Sequence, residues 1–317
     1  MSDYIHLFET QAAHDAVYNG SEYTEPWVGL VTANNSVSYN SEYQKYKNMP
    51  LTFEILSDGI INWTTTSTTT TIQYKKNDGN WTDITSSSAG TSFNVVSGDI
   101  VQFKSSNTNA YYRYNSFDGT TAGFNVKGNI MSLFGDTSTF NNTGSYTTGS
   151  LFKNCTGLVS AEHFILPSLT LQQYCYSSMF YGCTSLIIPP ELPATTLTKY
   201  CYESMFYRCT SLRYGPKLIA TTLQQDCYSG MFWGCTSLTT APDLPATTLV
   251  LNCYEYMFKD CTNLNSIKCL ATTGTNNCRN WVNGVAASGT FTKAASITSW
   301  PTGVNGIPSG WTVQDAS

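Results

Sequence analysis

The sequence predicts a mainly β protein with short helices, in which an N-terminal β-sandwich is followed by a solenoid of stacked repeats. Three observations carry this. A 26-residue unit recurs along the second half of the chain, and a fixed period of that size marks a solenoid or array. Short apolar runs separated by Gly-, Asn- and Asp-rich turns fill residues 51–127, which is how strands and hairpins read in a sequence. Charged residues are only 12% of a 317-residue chain that is 41% hydrophobic, about half the ~25% of ordinary globular domains. Ser, Thr, Asn, Gly and 21 Tyr fill the deficit.

That balance also excludes functions. The 16 Lys and Arg are scattered and outnumbered by 21 acids, for a net charge of -5, so a nucleic-acid-binding face is not expected. No window approaches the ~20 apolar residues of a membrane helix, and the first residues carry neither a basic region nor an apolar core of signal-peptide length.

Residues 1–45 form the first unit. Residues 4–8 and 27–31 read as strands, and Thr10 is placed to cap a short helix over residues 11–17. Residues 46–128 form the second, a sandwich of immunoglobulin-like size with about seven short strands. Within it, Leu51 to Leu56 and Ile60 to Trp63 flank Ser57-Asp58-Gly59 and predict one hairpin. Ile72 to Lys75 and Trp81 to Ile84 flank Asn77 to Asn80 and predict another; Phe93 to Val95, Ile100 to Phe103 and Phe124 to Val126 complete the set.

Residues 129–273 form the third unit, about five repeat turns. Cys175, Cys201, Cys227 and Cys253 fall 26 apart, as do Cys183, Cys209, Cys235 and Cys261. Between them runs Cys-Tyr-x-x-Met-Phe-x-x-Cys-Thr-x-Leu, and an earlier degenerate copy around Cys155 is offset by 28. One turn cannot bury its own apolar face, so stacking must align Met179, Met205, Met231 and Met257, the Phe after each, and Leu186, Leu212, Leu238 and Leu264 into core ladders. If the Cys-to-Cys segment is helical, its two cysteines share a face roughly 12 Å apart, too far for a disulfide. Zinc sites use closely spaced Cys pairs, whereas these pairs lie eight apart with no His between Cys175 and Cys261. The cysteines therefore read as small buried hydrophobes, and no metal or cofactor is expected. Residues 274–317 carry Trp281, Phe291, Trp300 and Trp311 and read as the cap of the open end, with Trp281-Val282 in register with Tyr256-Met257.

Met-Phe-x-x-Cys-Thr-x-Leu followed by a Pro-Leu segment resembles the BspA-like leucine-rich repeats of Bacteroidales surface proteins. The longer 26-residue unit, with its Ala-Thr-Thr-Leu block, is similar to repeats of surface and prophage-borne proteins of gut Bacteroidales. The resemblance covers residues 148–273 and implies a leucine-rich-repeat-like solenoid, with strands near Leu186, Leu212, Leu238 and Leu264, that binds rather than catalyses. Pro242 and its equivalents shorten those strands to two to four residues. Residues 5–11, with Tyr18-Asn19-Gly20 and Glu25 to Val28, resemble the N-terminal segment of Bacteroidales phage structural proteins, which implies attachment to virion tail proteins through residues 1–45.

No catalytic constellation is legible. His6, His14 and His163 have no patterned nucleophile, and neither a Gly-x-Ser-x-Gly elbow nor a phosphate loop is present. Glu191, Glu203, Asp243 and Glu255 fall in repeating columns rather than at one unique spot. Binding residues are instead expected where the copies differ. The position before the first Cys reads Tyr174, Tyr200, Asp226 and Asn252; the one after Phe reads Tyr181, Tyr207, Trp233 and Lys259; the two after the strand Leu include Arg213-Tyr214. Tyr, Trp and Arg are the residues that dominate interface energetics, so Tyr174, Tyr181, Tyr200, Tyr207, Arg213, Tyr214 and Trp233 are the candidate ligand-binding set. The functional expectation is a phage or prophage tail-associated receptor-binding protein that presents its repeats to a cell-surface glycan or protein. The alternatives are a bacterial surface or secreted adhesin and, third, a glycan-processing enzyme. The expected location is the virion or the cell surface; homo-oligomerisation stays open.

Overall fold

The computed structural model describes residues 5–6, 28–31, 37–39, 45–67, 69–105, 114–135 and 148–316. The protein is mainly β. Helix among the described residues is limited to Lys45-Tyr46 and two 3-10 turns, Ile130–Phe134 and Thr275–Asn277. Strands β1 (Ile5–His6), β2 (Val28–Val31) and β3 (Val37–Tyr39) pair antiparallel in that order. The helix expected over residues 11–17 lies outside the described residues.

The second unit is built from β4 (Leu51–Ser57), β5 (Gly59–Thr65), β6 (Thr71–Lys76), β7 (Thr82–Thr85), β8 (Thr91–Val95), β9 (Ile100–Lys104), β10 (Asn115–Ser116) and β11 (Gly123–Asn129). Strands β11, β4, β9, β6 and β7 lie in one sheet, while β10, β5 and β8 form another. The β6–β7 hairpin forms as its turn signal requires, with Ile72 opposite Ile84. The β4–β5 hairpin does not form: β4 pairs with β9 and β11, whereas β5 pairs with β8 and β10. The reason is the shared core. Phe53 and Ile55 of β4 and Ile61 and Trp63 of β5 are all buried, and Phe117 meets both Phe53 and Trp63 at 4.9 Å. Placing the two strands in different sheets lets their apolar faces share that core. The bend also needs Gly59, whose missing Cβ would stand 2.5 Å from the Ala122 nitrogen.

The repeat segments contain no helix. From Tyr174 to Cys183 the chain is a coil of tight turns in which every fourth residue takes left-handed backbone angles, φ being 60° at Tyr174, 58° at Ser178 and 73° at Gly182. Alternate amides bond within the turn, as Met179 N–H to the Tyr176 carbonyl at 3.3 Å and Cys183 N–H to Phe180 at 3.1 Å. The intervening amides reach the next copy: Tyr176 to Cys201 at 2.9 Å, Ser178 to Glu203 at 2.8 Å, Phe180 to Met205 at 2.9 Å and Gly182 to Tyr207 at 2.7 Å. An α-helix would satisfy these donors internally. Here half of them depend on a neighbour, so a single copy cannot satisfy its own backbone.

This register stacks the side chains as the repeat predicts. All four Met, the Phe that follow them and the four strand-side Leu are fully buried, and successive Phe rings lie 5.5, 5.6 and 5.7 Å apart, nearly parallel. Tyr176, Tyr202, Tyr228 and Tyr254 form a further buried ladder ending on Trp281 at 6.1 Å. The last rung is one residue out from the sequence expectation. Phe258 N–H bonds the Trp281 carbonyl as Phe232 N–H bonds that of Met257. Trp281-Val282 therefore continues the Met-Phe columns, not Tyr256-Met257.

On the other side of each copy the chain is extended, and proline decides how much of it becomes strand. Copies with Pro190, Pro216 and Pro242 are reduced to isolated bridges, among them those at Ile188, Tyr214 and Thr240, because proline cannot donate to a ladder. The equivalent residue is Lys268 in the last copy and Glu162 in the first. There true strands appear, β13 (Ser266–Cys269) and β12 (Leu158–Ile165). Strand β13 leads parallel into β14 (Thr290–Lys293) and β15 (Thr312–Asp315). Strand β12 pairs parallel with β11, so the first sheet runs on into the repeats. Cys155 donates its thiol to the Phe117 carbonyl at 3.3 Å, and Phe152 lies 5.9 Å from Phe117 and 5.4 Å from Phe180. One continuous hydrophobic core runs from Leu51 to Trp311.

Candidate binding surface

The interior offers little for chemistry. Each of the eleven cysteines is buried and unbridged, and the second of each pair donates its thiol to the Phe carbonyl of the preceding copy, Cys183 to Phe152 at 3.0 Å and Cys235 to Phe206 at 3.0 Å. Burial pushes the thiols up, to about 12 at Cys175, Cys201, Cys253, Cys261 and Cys269, which keeps them protonated and unreactive. Among the described residues no group of three or more His, Cys, Asp or Glu could hold a metal ion, and no helix is long and apolar enough to cross a membrane.

The outer columns are more informative. The structure divides the seven candidate residues into three places. Tyr174 and Tyr200 stack at 4.8 Å, and the Tyr200 phenol is pushed up chiefly by the neighbouring Asp226 carboxylate, with which it hydrogen-bonds. Tyr181 and Tyr207 stack at 4.4 Å with planes 7° apart, and Trp233 meets Tyr207 edge-on at 5.1 Å and 67°. Arg213 and Tyr214 join neither column. They follow Leu212 on the extended side, where Tyr214 bridges to Thr240 and Arg213 is exposed.

The Tyr181–Tyr207–Trp233 column is the most developed of the three, and it carries groups that the set of seven omits. Lys153 lies over Tyr181 at 5.3 Å, Arg208 over Tyr207 at 5.4 Å and Lys259 over Trp233 at 4.2 Å. Trp233 donates its indole N–H to Asp260 at 2.9 Å and rests 5.2 Å from Tyr256, over which Arg279 sits at 5.9 Å while pairing with Glu255 at 3.5 Å. Lys153 and Lys259 occupy the same repeat column as Tyr181, so the ring ladder ends in a cation on each side. Lys153 is hard to find in the sequence because its copy is offset by 28 residues rather than 26.

On the extended side Glu191 is half-buried and is pushed up to about 7, chiefly by burial, with Glu162 adding to the effect and Lys217 opposing it. Its column continues through Lys217 to Asp243, which pairs with Lys268 at 2.7 Å. The charges alternate along the stack, and pairs as exposed as Asp243–Lys268 contribute little to stability.

Compared with known proteins, the chain matches no family model, no curated protein and no solved structure.

Proposed function

We propose that this chain is a non-enzymatic adhesion protein, an immunoglobulin-like sandwich followed by a leucine-rich-repeat-like solenoid, that presents its outer aromatic columns to a cell-surface glycan or protein. One observation carries the reading. Positions buried between copies hold the same Cys, Tyr, Met, Phe and Leu in every full repeat, while the outer positions vary and collect Tyr, Trp, Lys and Arg. Repeat proteins keep core columns fixed and vary the exposed ones for a ligand, and Tyr, Trp and Arg dominate binding hot spots. The proposed setting is a phage or prophage tail, attached through residues 1–45; the second is a bacterial cell surface.

The test is attachment of the labelled full-length chain to Bacteroidales cells before and after periodate or protease treatment, beside the Tyr207→Ala/Trp233→Ala variant. Attachment that the double variant loses while its circular dichroism is unchanged supports the reading, and the treatment that abolishes it assigns glycan or protein. Equal attachment of variant and wild type sinks it. Immunogold labelling of purified particles against intact producing cells separates tail from cell surface.

A further inference from the structure

Resting on that reading, we infer that the Tyr181–Tyr207–Trp233 column binds an acidic polysaccharide, a chain bearing carboxylate or sulfate groups, laid along the stack and held by ring edges, phenol hydroxyls and flanking cations. The geometry leads there by removing the usual alternative. Neutral sugars dock on the open face of an aromatic ring, and here each ring already has a stacked ring or a cation over it. Tyr181 has Tyr207 stacked on it at 4.4 Å and the Lys153 ammonium over it at 5.3 Å; Trp233 has Lys259 at 4.2 Å and Tyr256 at 5.2 Å. The half-buried rings therefore offer edges and hydroxyls, and ring edges carry the positive part of the aromatic quadrupole. Edges, phenols and ammonium groups all favour an acceptor-rich or anionic ligand.

Charge distribution agrees. The column gathers Lys153, Arg208, Lys259 and Arg279, four of only 16 basic residues in a chain of net charge -5. Two acids offset part of this charge, Asp260, which accepts the Trp233 indole N–H, and Glu255, 13% exposed and paired with the 68% exposed Arg279, and four cations against two acids leave the column an excess of two. A polysaccharide, rather than a protein, fits the repeat. Rungs recur at one ring spacing, 4.4 to 5.1 Å, close to the length of one pyranose unit in an extended chain, and Lys153, Arg208 and Lys259 stand on alternate rungs, so every second sugar would meet a cation.

The experiment is calorimetric titration of the full chain with polygalacturonate, dextran sulfate and neutral dextran at two salt concentrations, with the cell-attachment assay run on the same preparations. Expected is binding of one or both acidic polymers, weakened by salt, no binding of dextran, and at least a tenfold loss in Lys153→Gln/Lys259→Gln. Lys153→Arg/Lys259→Arg should restore most of the affinity, which a merely structural role would not require. Lys75→Gln/Lys104→Gln, cations that lie over Trp81 in the sandwich at 5.6 and 4.2 Å, should bind as wild type; loss there instead would place the site elsewhere and overturn the inference. Binding of dextran that depends on Trp233 would overturn the acidic class while leaving glycan adhesion standing. Attachment to cells without binding of any of the three polymers would overturn the inference alone, and absence of both would take the adhesion reading with it.

Discussion

Phe206→Ala tests the claim that the repeats are one cooperative stack. Phe206 is fully buried, with Phe180 5.5 Å away on one side and Phe232 5.6 Å away on the other, at interplanar angles of 3° and 8°. Removing a buried phenyl costs about 3–5 kcal/mol in transfer and cavity terms, and each stacked pair contributes about 0.5–1.5 kcal/mol beyond area. Against a total stability of about 5–15 kcal/mol, that is a large fraction from a residue that touches no ligand. Guanidinium denaturation followed by circular dichroism should show the midpoint falling in proportion, with unchanged slope. The stacking share is isolated by a double-mutant cycle in Leu variants, which keep the fold measurable. Phe206→Leu with Phe232→Leu should couple by about 0.5–1.5 kcal/mol, whereas Phe180→Leu with Phe258→Leu, two rungs further apart, should add within about 0.5 kcal/mol. A loss below about 1 kcal/mol for Phe206→Ala, or equal coupling for both pairs, would refute the ladder as the unit of stability.

The remaining predictions address other links. A thiol reagent should modify almost none of the 11 cysteines in the folded protein and all of them after denaturation without reductant; a denatured count well below that number would mean bridges form. Glu191 titrates near 7 when folded, above its ordinary 4.5, so its contribution is fully present below about pH 4.5 and is lost as pH rises through 7. Glu191→Gln should therefore gain stability relative to wild type at pH 8 and gain nothing at pH 4, and a pH-independent difference would count against its burial. Gly157→Val should uncouple the sheet of β4 and β11 from the repeats, because a Cβ there meets the Ala122 carbonyl oxygen at 2.2 Å; hydrogen exchange should accelerate at β11 and β12, and unaltered protection in both strands would contradict the shared core.

How much of this was legible depends on the range of the interaction. The buried columns were readable because each rung repeats the chemistry of the next, so Met231, Phe232 and Leu238 disclose their neighbours by spacing alone. The coil of turns was less so, although its signal was present. The column that reads Asn154, Gly182, Arg208, Gly234, Asp260 and Gly284 is rich in residues that tolerate left-handed backbone, and all of these have positive φ. The aromatic column was readable as positions; the cations over its rings were not, since they depend on where Lys153 and Lys259 lie.

By itself, then, the sequence determined the repeat length, the identity of the core ladders and the places where proline would cut the strands short, because each is a local or periodic property of the chain. The tertiary structure alone decided that β4 and β5 part into different sheets, that β12 joins β11, that Trp281 enters the Met column and that the outer rings stack on one another. Each of those outcomes is a contest between segments distant in sequence for the same buried space or the same backbone partners, and only the folded arrangement settles such a contest.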